Sequence, residues 1–490
     1  MTNDAPAIAT RRFGLGARPG DVGRIRADPR GYVASQIGDR EIARLENADL
    51  APSHTTIVEV IGARQRVRAA RRDVPAPTAA TPQPPGAATA LSPAAQAAPT
   101  IPAEPMPGAT DGAPAMSPAD RPGRLIQAAM IAEAEARIRR AVATEAPFVE
   151  RLVMFWSNHF AAAARKGNVR AIAGAYEREA IRPHVFGRFA DMLLAVARHP
   201  AMLIYLDNQG SIGPNSRAGT RRGRGLNENL ARELLELHTL GVDGGYTQAD
   251  VAALARLLTG WTFGGPERPA GEAGRFWFAA NRHEPGPHRL LGREYRQGAT
   301  GGEQALADLA GHPSTARHVA TKLAAHFVAS PPPPTLVARL ERRFRETDGD
   351  LAALSLDLVS APEAWAAPAK KMLPPYDFLV SLSRGLAIEV PPRQIMRFSV
   401  ALGQPMWDPP SPKGWPDDDD AWMAPAALRE RLRIAEVAAA RIPPGSDPRA
   451  AARDLLGAAL SPATAEAVAR AESARQGYEL LILSPDLQRR

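Results

Sequence analysis

The chain has 490 residues, of which 45% are hydrophobic and 23% charged, and this composition is typical of a water-soluble globular protein. It contains no cysteine, which excludes disulfide bonds, thiolate zinc sites, iron–sulfur clusters and cysteine nucleophiles. The net charge of +8 comes almost entirely from arginines that are scattered among Asp and Glu rather than gathered in one stripe. We therefore expect no specific nucleic-acid partner.

The start of the chain carries no targeting signal that the sequence makes visible. Residues 1–10 read Met-Thr-Asn-Asp-Ala-Pro-Ala-Ile-Ala-Thr, without a basic region followed by an apolar one. No apolar run approaches the roughly 18 residues that a membrane-spanning helix needs. These two observations predict a soluble, cytoplasmic chain with no membrane span.

Composition divides the chain into three parts. Residues 1–72 contain helical stretches and are too few for a good core alone, so we assign them to the N-terminal part of the main domain. Residues 73–123 are rich in Pro and Ala and have no aromatic residue and no periodicity, which predicts a disordered insert. Residues 124–490 return to helical spacing and form the main helical domain.

One region interrupts the helical pattern. Thr247 and Asp250 have the spacing of a capping box, which predicts that a helix begins there. After that helix, residues 260–302 are rich in turn residues. Two strand-like stretches within them, 275–279 and 289–295, predict a β-hairpin. The predicted fold class is all-α: a large multi-helix domain with one small β-hairpin and long loops, interrupted by the insert.

Residues 225–241 carry the densest polar pattern of the chain. Their leucines predict a helix with one face in the core; these are Leu226, Leu230, Leu234 and Leu237.

The polar residues of the same stretch divide into explained and unexplained ones. Asn227 can cap the helix, and Glu228 with Arg232 forms an i,i+4 ion pair. Asn229, Glu233 and His238 have no such structural role, although a solvated helix face would also contain them.

These residues define a candidate active site on the 227–238 helix. We predict Glu233 as an acid/base or metal ligand, His159 and His238 as proton carriers or ligands, and Arg232 as a substrate clamp. The predicted substrate-binding residues are Asn227, Asn229, Asp207, Asn208 and Arg224.

Each of these assignments has a structural alternative. A histidine among aromatic residues, such as His159, is also typical of a hydrogen-bonded core residue. Asp207 and Asn208 are common turn residues, and the Arg-rich loop around Arg224 also contains many glycines. A divalent metal stays open as a cofactor, because Glu233 and His238 are five residues apart and would need a third ligand.

Two further polar clusters carry weaker signals. His283 and His288 flank Glu284 in a predicted turn, where a metal could bind but where exposed turns also collect such residues. The acidic run 417–420 predicts a solvated loop, with weak calcium binding as the alternative.

Several stretches together resemble a bacterial family that is named for its domain of unknown function 1800. Among them are the Trp-Ser-Asn-His motif and the Pro-Lys-Gly-Trp-Pro motif; the full set is 11–14, 155–160, 197–208, 227–248, 257–261, 409–416 and 481–488. The resemblance covers nearly the whole chain outside the insert. It implies a largely helical bacterial protein without an established activity.

The resemblance also implies a partner and a compartment. Members are often exported and encoded near a sulfatase-like family, which implies a sulfatase-like partner and makes a periplasmic location the alternative to a cytoplasmic one. The chain departs from the family pattern in lacking a visible export signal and in carrying the acidic run 417–420 after Gly-Trp-Pro.

Two classes of function follow from these patterns. The first is a hydrolytic or group-transfer enzyme that acts on a polar or anionic substrate at the 227–238 helix. The second is a noncatalytic helical scaffold or partner-binding protein in which the same polar cluster is a structural network.

Overall fold

The computed structural model describes residues 5–45, 47–72, 121–222, 225–366 and 370–490, without the side chains of residues 71 and 222. This part of the chain is predominantly helical, which confirms the predicted all-α class. The predicted insert lies outside the described residues up to residue 120, and a helix already begins at Pro122.

The helices are mostly short, and many begin with a proline in the first turn, where its missing N–H costs nothing. The N-terminal part contains α1 (Ala5–Arg11), α2 (Asp21–Arg24), α3 (Pro29–Ala34) and α4 (Ser53–Arg72). The central part contains α5 (Pro122–Ala143), α6 (Pro147–His159), α7 (Val169–Tyr176), α8 (Phe189–Arg198), α9 (Pro200–Tyr205), α10 (Gly219–Arg222), α11 (Asn229–Glu233) and α12 (Gln248–Leu257).

The C-terminal part follows a small β region. It contains α13 (Ala299–Ala310), α14 (Pro313–Phe327), α15 (Pro334–Glu346), α16 (Leu351–Ser360), α17 (Glu363–Ala366), α18 (Pro375–Gly385), α19 (Pro392–Ala401), α20 (Pro425–Ala439), α21 (Pro448–Leu456), α22 (Pro462–Ala469), α23 (Ala474–Leu483) and α24 (Pro485–Gln488).

The β region consists of two antiparallel pairs rather than the single predicted hairpin. β1 (Trp261–Phe263) pairs with β2 (Phe276–Phe278), and β3 (His288–Leu290) pairs with β4 (Arg293–Tyr295). The predicted pairing between the two strand-like stretches was wrong because the second stretch folds on itself. Leu291 and Gly292 both have positive φ, which is the geometry of a two-residue hairpin turn.

Two hydrophobic cores stabilise the described chain, and α6 borders both. Phe148, Phe155 and Trp156 of α6 lie in the larger core, while Met154 packs against the smaller one. The smaller core is built by α18, α19, α20 and α23 together with one face of α5. This arrangement places the C-terminal end of α6 at the border between the cores.

A buried ion-pair cluster lies beside this border. Both terminal nitrogens of Arg182, which is fully buried, donate to the carboxylate of Glu150 at 2.9 and 2.8 Å, and one of them also reaches Glu177 at 3.2 Å. Arg178 donates to Glu133 at 2.8 Å. Every one of these carboxylates has a guanidinium partner, which is what burial of charge requires.

Among the described helices, none combines the length and the apolar composition that crossing a membrane requires. The compartment, cytoplasmic or periplasmic, stays a prediction.

Candidate functional site

The 227–238 segment is a short helix followed by a wider turn. α11 ends at Glu233, and Leu234–His238 continues as a π-helical turn, which holds one residue more than an α-helical turn. Leu230, Leu234 and Leu235 are buried, whereas Leu237 is only partly buried. The predicted leucine face is therefore correct at Leu230 and Leu234 but not at Leu226, which precedes the helix and is only partly buried, nor at Leu237, which the extra residue of the π-turn displaces.

The outer face of this segment is satisfied by local contacts. The side chain of Asn227 accepts a hydrogen bond from the backbone N–H of Asn229 at 2.9 Å. Arg232 lies 3.2 Å from Glu228, as its spacing predicts, and both also contact Gln248. Asn229 itself is exposed.

Glu233 lies near Tyr205, which is two residues before Asp207 in the chain. Burial raises the pKa of Glu233, and the charge of the neighbouring Glu236 adds to this effect. The pKa of Tyr205 is raised to about 12, mainly because the phenol is buried and in part because of the charge of Glu233. Asp207 forms an ion pair with Lys166, and its backbone oxygen accepts from Asn227 at 3.3 Å. Asn227 and Asp207 are thus in direct contact.

His159 and His238 lie inside the larger core, each only 1% exposed. The Nε2 atom of His159 lies 3.1 Å from the backbone oxygen of His238, and the two rings are 6.2 Å apart. Burial lowers the pKa of His238 to about 3 and the pKa of His159 well below its usual value. Both imidazoles are therefore neutral at physiological pH.

The other predicted residues fall into different settings. Asn208 is buried and its amide donates to the backbone oxygens of Leu258 and Trp261 at 3.2 and 3.0 Å, which is a structural role. Arg224 lies outside the described residues. The catalytic and binding roles assigned to the 227–238 segment and its neighbours stay predictions.

Metal binding gains no geometric support within the described ranges, where no group of three or more His, Asp or Glu residues is placed to hold an ion. Both ring nitrogens of His283 already have partners: the backbone oxygen of Thr259 at 2.9 Å and the backbone N–H of Gly298 at 2.8 Å.

A large cleft lies at the border between the two cores. It has an empty volume of about 990 Å³, part of which is open to solvent. Widely separated segments contribute to its wall; its polar and aromatic residues include Arg137, Ser157, Asn158, Tyr176, Glu177, His326, Lys371, Tyr376, Asp377, Trp407, Trp415, Asp417, Trp422 and Arg490. Asn158 lines this cleft, while the next residue, His159, lies in the core.

His326 and Asp417 form an oriented pair on the cleft wall. The Nδ1 atom of His326, near the end of α14, lies 3.1 Å from the carboxylate of Asp417. Burial alone would raise the pKa of Asp417, but His326 and the ammonium of Lys371 hold it below its usual value. Asp417 is therefore an ionised acceptor, so in the neutral form of the imidazole Nδ1 carries the proton and Nε2 keeps its lone pair. Nε2 is buried and has no partner among the described residues.

Two lysines lie close to this pair. Lys371 is 6% exposed, donates to the backbone oxygen of Ala325 at 2.6 Å and lies 4.0 Å from Asp417. Burial lowers the pKa of both Lys371 and Lys322, and the charge of Asp417 opposes that effect. Asp417 is thus the carboxylate that balances a locally basic environment.

Asp377 and Arg490 provide a second polar group in the cleft. One carboxylate oxygen of Asp377 accepts from Arg151 at 2.8 Å and lies 3.4 Å from Arg490. The other oxygen of Asp377, the Nε and Nη1 atoms of Arg490 and the hydroxyl of Tyr376 are buried and have no hydrogen-bond partner among the described residues.

Aromatic residues complete the wall. The guanidinium of Arg137 lies between the rings of Tyr376 and Trp407, at 4.8 and 5.4 Å, and its Nε contacts Glu177 at 3.2 Å. The indole N–H of Trp407 donates to Glu177 at 3.0 Å. Glu177 lies in a π-helical turn, a distortion that occurs frequently at functional sites.

The side chain of Asn158 binds the backbone of the loop that carries Trp415. Asn158 donates to the backbone oxygen of Trp415 at 2.9 Å and accepts from its N–H at 2.6 Å. Gly414 has φ of 86°, and a Cβ at this position would lie 2.5 Å from the backbone oxygen of Asn158. Only glycine fits there, so the Gly-Trp pair is required for the shape of the wall.

Most of this cleft was not predicted from the sequence. His326 and Asp377 lie in largely apolar stretches, and Arg490 follows Gln488 and Arg489 without a pattern that would mark a site. Asp417 was expected in a solvated loop, but it is partly buried against His326, while Asp418 and Asp420 are exposed. The available signal was the Pro-Lys-Gly-Trp-Pro motif, which ends next to Asp417.

Comparison with known proteins gives one positive result. A family model described as a protein of unknown function, DUF1800, matches residues 8–489, which is nearly the whole chain. No curated protein and no solved structure matches the chain. The motifs that form the cleft wall and the core beside it lie within the matched range, and the chain belongs to the DUF1800 family.

Proposed function

We propose that the cleft is the active site of a hydrolytic or group-transfer enzyme that acts on a polar substrate. His326 accepts a proton from a water molecule or a substrate hydroxyl and returns it to the leaving group, and Asp417 holds the imidazole in the required tautomer. The observation that carries this proposal is that His326 lines the cleft, that its Nδ1 faces an ionised carboxylate, and that its buried Nε2 has no hydrogen-bond partner among the described residues.

The nucleophile in this proposal is not Ser157. Ser157 lines the cleft, but its hydroxyl donates to Glu177 at 3.0 Å, and that carboxylate is held by Arg137 and Arg182. A water molecule or a substrate hydroxyl is therefore the group that His326 activates.

The test uses the purified full chain and a panel of chromogenic nitrophenyl esters, glycosides, phosphates and sulfates. We expect turnover of at least one class, and we expect His326→Gln to lower kcat by about 10²–10⁴-fold without a comparable change in KM. Asp417→Asn should also lower kcat. The matched controls are His54→Gln and Asp418→Asn, which change the same residue types outside the cleft.

Equal turnover by the wild-type protein and His326→Gln, or no turnover of any class, would contradict the proposal. The second outcome would favour the noncatalytic alternative, a helical scaffold or partner-binding protein. The observation in favour of that alternative is the buried cluster around Arg182, whose carboxylates are all paired and so act as a structural network.

The sulfatase-like partner stays a prediction that rests on the family resemblance alone. Co-purification of the full chain with a sulfatase-like protein encoded beside it would test this prediction.

A further inference from the structure

The polar atoms of the cleft residues that have no hydrogen-bond partner among the described residues include both donors and acceptors. Asp377 offers one carboxylate oxygen, which can only accept, and Arg490 offers Nε, which can only donate, whereas its Nη1 already lies 3.4 Å from the other oxygen of Asp377. The hydroxyl of Tyr376 can do both. These three residues are 1%, 2% and 4% exposed. A buried polar atom without a partner is costly, so these atoms favour a ligand that donates and accepts in the same place.

Charge balance argues against a purely anionic ligand. The cleft wall contains three cations and three anions, namely Arg137, Lys371 and Arg490 and, on the other side, Glu177, Asp377 and Asp417. A carboxylate or phosphate placed beside Arg490 would meet the free oxygen of Asp377, which repels it. An uncharged hydroxyl satisfies both groups at once, because it accepts from the guanidinium and donates to the carboxylate.

The aromatic wall adds a requirement for a flat apolar face. The ring centroids of Trp415 and Trp422 lie 5.8 Å apart, and the two rings are tilted by 49°. Met154 and Met406 line the same cleft. Indole rings bury large apolar areas and favour flat partners. A sugar ring has such a face in its C–H groups and carries its hydroxyls on the edge.

We propose that the cleft binds a polyhydroxylated ring, that is, a sugar or a sugar-bearing molecule. The C–H face of the ring packs on the indoles, and its hydroxyls bind Asp377, Arg490 and Tyr376. This inference rests on the proposed function, since it names the substrate class of the same site and replaces an anionic substrate by a neutral one.

The test measures binding to the full chain by saturation-transfer NMR. The probes are a set of methyl pyranosides and their disaccharides, with citrate and inorganic phosphate as anionic probes. We expect at least one sugar to bind with a millimolar Kd and to show its strongest signals on ring C–H protons. Trp415→Leu should weaken that binding by about tenfold or more.

A conservative variant keeps the test valid if Trp415→Leu does not fold. Tyr376→Phe removes only the unpartnered hydroxyl, and we expect it to raise the sugar Kd by about fivefold. The matched controls are Trp277→Leu and Tyr246→Phe, which lie outside the cleft and should leave the Kd unchanged.

The outcomes separate this inference from the proposed function. Binding of citrate or phosphate alone, or of no sugar in the set, would overturn the sugar assignment, even if turnover of a nitrophenyl ester or phosphate depends on His326. Sugar binding that Tyr376→Phe weakens, together with turnover that does not depend on His326, would support the sugar assignment and overturn the catalytic role.

Discussion

Asn158 and His159 are neighbours on α6, but they belong to two different polar regions. Asn158 forms a hydrogen bond with the backbone of Trp415 in the cleft wall. The ring of His159 contacts the backbone oxygen of His238, the last residue of the 227–238 segment. In the cleft, polar residues from distant segments meet at one open space, and several of their atoms have no hydrogen-bond partner among the described residues. In the 227–238 segment, the charged groups pair locally near the surface, and the imidazole of His238, which also has no such partner, lies in the core. Polar residues that are close together in the sequence, as in the 227–238 segment, therefore need not converge on one cavity in the structure.

Acid should act most strongly through the second region. Unfolded imidazoles titrate near pH 6.5, whereas burial lowers the pKa of His238 to about 3 and that of His159 well below its usual value. Below pH 6.5 the unfolded state therefore binds protons that the folded state does not, so stability is lost as the pH falls. One pKa unit corresponds to about 1.4 kcal/mol, so His238 alone should contribute about 2–3 kcal/mol over two pH units, and His159 adds to the loss in the same direction.

Denaturant unfolding between about pH 6.5 and 4.5 measures this loss. His238→Leu should reduce the pH dependence, and His54→Leu should reduce it less, because burial also lowers the pKa of His54 but that side chain is only partly buried. A stability that is flat over this range would show that the two histidines are not buried as neutral groups.

The same chemical change should cost more in the buried ion-pair cluster beside the cleft than in the 227–238 segment. Arg182→Met leaves Glu150 and Glu177 buried with fewer partners, and we expect it to lower the free energy of unfolding by about 3–5 kcal/mol. Arg232→Met breaks the partly exposed pair with Glu228, and we expect a loss below about 1 kcal/mol. Equilibrium unfolding of both variants checks the contrast, and equal losses would contradict it.

Asparagine replacements give a smaller contrast. Asn158→Ala leaves the backbone N–H and oxygen of Trp415 without their partners, and we expect a loss of about 1–3 kcal/mol. Asn229 is exposed, so Asn229→Ala should cost less than about 0.5 kcal/mol. Thermal unfolding of both variants measures the difference. If Asn158→Ala melts like the wild-type protein, Asn158 does not fix the cleft wall.

Glu233→Gln should have the smallest effect and decides between the regions. If catalysis belongs to the cleft, turnover of the variant should stay within about tenfold of the wild-type value, while His326→Gln loses about 10²–10⁴-fold. If catalysis belongs to the 227–238 segment, Glu233→Gln should lose about 10²–10⁴-fold and His326→Gln should stay within about tenfold of the wild-type turnover. The measurement is kcat on the same chromogenic substrate for both variants.

Local features of the fold were predictable because a few neighbouring residues determine them. The capping box of Thr247 and Asp250 is present as predicted, and so is the ion pair of Glu228 and Arg232. The leucine face of α11 was also predicted up to the π-turn. The turn itself was not, because its extra residue leaves no mark in the spacing of the leucines.

The sequence by itself determined the helical class, the family and these local contacts, because helix periodicity and capping act over one or two turns. The tertiary structure decided which polar groups meet. His326 and Asp417 are 91 residues apart, and Asp377 lies far along the chain from both Arg151 and Arg490. Such pairs form only when two cores pack against each other across α6, and no local pattern in the sequence encodes that packing.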